Sequence, residues 1–260
     1  MIPLLMIHGI GCDGSAFNRM AGLFSAHGFL TRTPTLFPDL RVSENPPEGL
    51  ARLGLHDYVE AIAKEAKAFA AETGRPVALL GHSMGGLIVQ KLASQGIGAA
   101  GVLLTPAQPP ECQVFSLSTL VTFWNIVKVG DPHRAYKVWR KGFDWGVLNQ
   151  VPKDQRDAIY ARALYDSGLV YRDIGQAAKD PHKTAFIDAK DVSIPLLTVC
   201  AGRDRATVPA AVRKVAAKYR DRGGQLLEYP RNGHWIVDEP GTDRVVKDIA
   251  GWLKRHIGET

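Results

Sequence analysis

Residues 77–90, "VALLGHSMGGLIVQ", carry the stretch on which the reading of the whole chain turns. "VALL" is a short apolar run of the length a buried strand needs, and "GLIVQKLAS" after it opens an amphipathic helix. Between them stands Ser83, with Gly81 and Gly85 two residues to either side. A chain that leaves a strand and enters a helix this abruptly must turn sharply. The turn forces its central residue into a strained conformation and crowds the neighbouring positions, so glycine fits there. G-x-S-x-G alone is a weak signal, but strand, turn and helix together form the setting of a nucleophile elbow, which holds a serine hydroxyl out at the edge of a sheet. The helix that follows aims its N-terminus and its free N–H groups toward charge forming on a substrate.

Outward from this turn, apolar runs alternate with helical patterns. Strands are expected near 4–7, 29–33, 77–80, 101–104, 196–200 and 225–229, and helices near 15–27, 56–72, 86–95, 210–219 and 243–256. The second helix places Tyr58, Ile62, Ala66 and Phe69 at steps of three and four and stops at Gly74 before Pro76. Such alternation is the pattern of an α/β protein with a mostly parallel sheet flanked by helices. The rhythm breaks after "TPAQPP". Residues 106–195 contain helix-like pieces near 116–128, 134–140 and 153–166 and no convincing sheet strand. A structureless loop of that length is improbable in a compact domain, so 106–195 is expected to be an inserted helical cap on a core formed by 1–105 and 196–260.

A serine hydroxyl is a weak nucleophile unless a general base lies within hydrogen-bond reach and a third group orients that base. His234 in "PRNGHWIVDEP" follows the last expected strand, and Asp204 in "TVCAGRDRATVP" follows the strand before it. Open parallel sheets gather their sites at these carboxyl ends. Other histidines lie in motifs with other tasks, such as His8 and His82, or in helices, linkers and the cap. Asp188 and Asp191 precede their strand, and Asp238 and Asp243 follow the histidine, which leaves Asp204 as the best placed carboxylate.

With "MIHGIG", "GHSMGG", "AGRDRATVP" and "NGHW" in this order, the chain resembles an α/β-hydrolase across 1–105 and 196–260, while its cap matches in position and rough size alone. The resemblance implies the α/β-hydrolase fold. It implies Ser83 as nucleophile, His234 as general base and acid, and Asp204 as the residue that sets the histidine tautomer. It also implies an oxyanion hole made by the backbone N–H groups of Met84 and of Ile10, with Gly11 as the alternative to Ile10. Serine rather than aspartate at 83 argues against the dehalogenase and epoxide-hydrolase branches. The chain opens directly at the strand carrying "HG", without the family's usual leading hairpin, a departure expected to touch stability more than chemistry.

Composition bounds the rest. A 45% hydrophobic, 22% charged chain reads as a soluble globular protein. The net charge of +6 is scattered with no long basic run, which argues against nucleic acid as partner. Cys12, Cys112 and Cys200 are far apart and odd in number, so neither a disulfide framework nor a metal cluster is expected, and the compartment reads as cytoplasmic. The apolar start lacks a basic leader pattern and reads as a strand, and no stretch reads as a transmembrane segment. No cofactor and no metal are called for, and the protein is expected to be a monomer or homodimer. Of 21 aromatic residues, 11 fall between 106 and 195, either as the cap's own core or as an apolar acyl pocket. The leading expectation is hydrolysis of a carboxylic ester of a small hydrophobic substrate, acyl or aromatic. Alternatives are a lactonase, a carbon–carbon bond hydrolase or a perhydrolase, and a ligand receptor with little turnover.

Overall fold

The computed structural model describes residues 1–258. All six expected strands form one sheet: β1 (Ile2–Ile7), β2 (Phe29–Arg32), β3 (Ala78–His82), β4 (Ala100–Leu104), β7 (Leu196–Ala201) and β8 (Gln225–Tyr229). Their order is β2-β1-β3-β4-β7-β8, and every neighbouring pair is parallel. β1, β3, β4 and β7 are buried along their whole length, which is why they read as unbroken apolar runs rather than alternating ones. β8 is an exposed edge strand.

Because successive side chains point to opposite faces, each strand feeds two cores. Leu4, Met6, Leu80, Val102 and Leu104 pack with Phe17, Met20 and Phe24 near α1 (Asn18–Ala26), and with Val245, Ile249 and Trp252 of α10 (Thr242–Ile257). Leu5, Ile7, Leu79 and Leu103 pack instead against α2 (Leu55–Thr73), α3 (Met84–Ser94) and α9 (Pro209–Lys218). The chain moves outward from β1 in one direction to β2 and in the other to β3, so the topological switch point lies between β1 and β3. Crevices for ligands open there in sheets of this kind. The Ser83 turn and the loop after His8 flank it.

Between β4 and β7 lie α4 (Leu117–Thr122), α5 (Trp124–Val129), the short strand β5 (Ala135–Tyr136), α6 (Arg140–Gly142) continuing as a π-helical turn, α7 (Lys153–Ala161), β6 (Asp166–Ser167) and α8 (Gly168–Gly175). Three expectations change here. The single helix near 116–128 is two, broken at Phe123. The helix near 134–140 is instead β5 and its flanks, because Tyr136 and Val138 turn alternate side chains inward. The expected helix 153–166 ends at Ala161, and Asp166 enters β6, which pairs antiparallel with β5 in a small separate sheet. No helix among the described residues is long and apolar enough to cross a membrane.

Candidate active site

At the end of β3, Ser83 has φ 55° and ψ −119°, a left-handed conformation that a residue with a side chain rarely adopts. The surroundings enforce it. Ser83 N–H donates to the Leu104 carbonyl (3.0 Å), and the Ser83 carbonyl accepts from Gly86 N–H (2.9 Å) and Ala107 N–H (2.8 Å). A Cβ at Gly81 would overlap the carbonyl of Gly85, and one at Gly85 the carbonyl of Ile7, so both glycines are required by close backbone approach. Helix α3 begins at Met84, two residues earlier than its sequence pattern suggests, which sets the N–H of Met84 in its first turn beside Ser83. Thr105, after β4, is a second strained residue at φ 43°.

Asp204 and His234 meet across the ends of β7 and β8. His234 Nδ1–H donates to Asp204 Oδ2 at 2.8 Å, with both side chains almost wholly buried. Asp204 Oδ1 accepts two backbone N–H groups, Ala206 (2.8 Å) and Thr207 (2.9 Å). Thr207 Oγ1 lies within hydrogen-bond range of Asp204 Oδ2 (2.8 Å) and the Thr105 carbonyl (3.0 Å), to one of which it donates, and 3.2 Å from His234 Nδ1. These donors fix the carboxylate in place. The histidine is also held by its backbone: His82 Nε2–H donates to the His234 carbonyl at 2.8 Å, and the two rings lie 4.8 Å apart. His82 is neutral, its pKa lowered to about 3, chiefly by burial. Sequence reading set His82 aside, and it missed Thr207 altogether.

Glu239 clasps the same loop. Its Oε2 accepts the N–H of Gly233 (2.8 Å) and the side-chain amide of Asn232 (3.3 Å), while its Oε1 is buried without a partner. Burial raises its pKa to about 7. Glu239 stands in the quoted "NGHWIVDEP" run, where an acid next to a proline-terminated apolar stretch was the one available signal.

The loop after β1 carries the other half of the site. His8 is fully buried; its Nε2 accepts Leu36 N–H (3.1 Å) and its Nδ1–H donates to the Gly9 carbonyl (2.8 Å), and burial lowers its pKa to about 4. Gly11 N–H donates to Asp166 Oδ2 at 2.8 Å, so the N–H considered as the alternative to Ile10 for the oxyanion hole is committed elsewhere. Asp166 is the centre of a buried cluster. Arg41 Nη1 pairs with its Oδ2 (2.9 Å) and Tyr58 Oη donates to its Oδ1 (2.5 Å), with the side chains of both ionic partners fully shielded. Arg41 also donates to the carbonyls of Leu36 and Cys12. This cluster ties the Ile10 loop, α2 and β6 to one carboxylate.

Ser83, Met84, Ile10 and Thr207 together line a cavity of about 470 Å³. Its opposite wall is apolar and comes from the segment between β4 and β7: Val114, Leu120, Phe123, Ile126, Tyr136 and Ile174. Phe115, Val127, Asp131, Gln176 and Lys179 line it and are also exposed, which marks the mouth. The three cysteines are buried and unpaired. Among the described residues, no group of three or more His, Cys, Asp or Glu is placed to hold a metal ion.

The fold is similar to that of known proteins. No curated protein sequence matches the chain. A monoacylglycerol lipase of Paleococcus ferrophilus superposes with a TM-score of 0.70 at 18% identity, covering 98% of this chain and 94% of the lipase. Tomato methylketone synthase I, complexed with 2-tridecanone, superposes at 0.72 with 14% identity and 98% of each chain covered. A pyrethroid hydrolase of Sphingobium faniae gives 0.67 at 18% identity, covering 96% of this chain and 97% of that one. At these identities the likeness is one of fold. Residues 4–247 match the family model of the alpha/beta hydrolases, and the chain belongs to the alpha/beta hydrolase family.

Proposed function

We propose that the protein hydrolyses carboxylic esters of small hydrophobic substrates through an acyl-enzyme on Ser83. The observation that carries this reading is a strained Ser83 facing an apolar cavity beside a buried Asp204–His234 pair whose hydrogen bond uses Nδ1 and so keeps Nε2 available to the serine. In the first half-reaction Ser83 Oγ attacks the carbonyl carbon, and its proton passes to His234 Nε2. The N–H groups of Ile10 and Met84 hold the oxyanion. Asp204 stabilises the imidazolium and keeps the ring oriented. Collapse of the intermediate breaks the bond to the alkoxide, which takes the proton from Nε2 and leaves as an alcohol. Water then repeats the sequence, with His234 as base and then acid, and releases the carboxylic acid. The segment 106–195 acts as the cap, and its apolar wall favours acyl or aromatic groups over polar ones. The monoacylglycerol lipase among proteins of like fold is consistent with this choice of scissile bond.

The test pairs labelling with turnover. A fluorophosphonate probe is expected to label Ser83 and no other residue, and p-nitrophenyl acyl esters are expected to turn over. Labelling without multiple turnover of any ester, lactone or carbon–carbon substrate would favour a receptor instead. Ester hydrolysis that persists at the wild-type rate in Ser83→Ala would sink the mechanism.

A further inference from the structure

Of eleven large apolar side chains exposed among the described residues, six belong to one segment: Phe115, Leu117, Val121, Trp124, Val127 and Val129. Single exposed leucines are ordinary, but a cluster of this density marks an interaction surface. Within α4 and α5 the pattern has two sides. Leu120, Phe123 and Ile126 face the cavity, while Leu117, Val121 and Trp124, at steps of four and three, face outward, with Leu117 68% exposed. A helix apolar on both sides is normally covered on both.

The charge around the stripe selects what covers it. From 113 to 141 the chain carries five Lys and Arg residues and one acid, Asp131. Lys128 is exposed within the stripe, and Arg134 and Lys141 are exposed beyond it. A second copy packed face to face would set these like charges against each other. An anionic lipid surface instead offers an apolar interior bordered by negative headgroups, the combination that an interfacial amphipathic helix uses. The stripe is also continuous with the cavity mouth, because Phe115 and Val127 belong to both.

We propose that the α4–α5 face docks the protein on an anionic lipid surface, with Leu117, Val121 and Trp124 entering the boundary between headgroups and acyl chains and Lys128 lying over the headgroups. Docking requires no chemistry at Ser83, so it stands or falls apart from the proposed hydrolysis. The experiment is co-sedimentation of the full chain with vesicles of phosphatidylcholine containing phosphatidylglycerol, against phosphatidylcholine alone. The protein is expected to bind the anionic vesicles and to release as salt rises. The double variant Leu117→Ser/Val121→Ser is expected to bind about tenfold less or weaker still, while keeping its melting temperature and its turnover of water-soluble p-nitrophenyl acetate. Lys128→Gln is expected to weaken binding to anionic vesicles alone. Failure of the wild type to sediment with any vesicle, or equal binding by the double variant, would overturn the proposal. So would a dimer in solution that the double variant dissociates, which would assign the face to a second copy.

Discussion

On the sheet side of the cavity, Ser83 is held by three backbone hydrogen bonds and two obligatory glycines, and Asp204 by two backbone N–H groups and the His234 ring. On the opposite side, α4 and α5 are six residues each, shorter than any helix stable by itself, and they form the wall through packed apolar side chains and a few side-chain hydrogen bonds, such as Thr119 to the Ala206 carbonyl and Asn125 to the Lys137 carbonyl. Backbone constraint fixes the reacting atoms to a geometry that side-chain substitution elsewhere hardly moves. Packed side chains on short helices define a volume that single substitutions can reshape. In the proposed hydrolysis, position and selectivity would thus rest on different physical means.

The largest expected effect tests the rigid side. Ser83→Ala should lower kcat by roughly 10⁴-fold or more in a p-nitrophenyl ester assay with the fold intact. Ser83→Gly should be equally inactive yet more stable by about 1 kcal/mol, since glycine adopts φ 55° without strain; an unchanged urea midpoint would show that the elbow stores none.

Asp166→Asn crosses the division, because a residue of β6 holds the loop that carries Ile10. Removing its charge leaves Arg41 buried without a counterion, at a cost of about 3–5 kcal/mol in urea unfolding. It should also lower kcat more than it changes KM, as the Gly11 anchor slackens. A loss in stability with unchanged kcat would separate the cluster from the oxyanion loop.

Next comes pH. His8 and His82 have folded pKa values of about 4 and 3 against the usual 6.5, so the native state keeps them neutral while the unfolded chain takes up protons. Their contribution is complete above pH 6.5 and is lost as pH falls toward 4 and 3, roughly 3 kcal/mol or more for each when fully realised. Glu239 runs the other way. Its pKa of about 7 keeps it protonated in the native state, so the stability linked to it is present at acid pH and lost as pH rises through 7. Urea midpoints at pH 4, 6 and 8 should therefore fall at pH 4 in the wild type, and Glu239→Gln should gain on the wild type at pH 8.

The smallest effect probes the packed wall. Leu120→Ala should lower kcat/KM about tenfold for an octanoyl ester and leave an acetyl ester within about twofold. Equal losses on both esters would mean that the wall also supports the reacting geometry.

Legibility in the sequence divides along the same line. β1, β3, β4 and β7 could be read because buried parallel strands are uninterrupted apolar runs, whereas β2 and β8, partly or largely exposed, could be read from their place in the alternation with helices. The Ser83 turn could be read because close backbone approach leaves a glycine two residues to either side of the serine, a spacing visible in the sequence. Asp204 and His234 follow strand ends, where topology alone brings them together. The Arg41–Asp166–Tyr58 cluster could not be read, since its members lie on three segments with no local period and only the folded chain joins them. The segment 134–140 misled because a few apolar residues spaced along a short stretch fit helix and strand equally well. Thr207 acts through a single hydroxyl, which leaves no pattern in composition or spacing, and Glu239, which holds Asn232 and Gly233, offers only an acid beside a proline-terminated run.

The carboxylate of Asp166 has a further consequence. Since the strand that carries it belongs to the segment proposed as the cap while the amide it grips adjoins Ile10, that segment cannot lift as a single plate without tugging at the corner proposed to receive negative charge. An opening that keeps this corner intact would have to move α4 and α5 while leaving β6 in place.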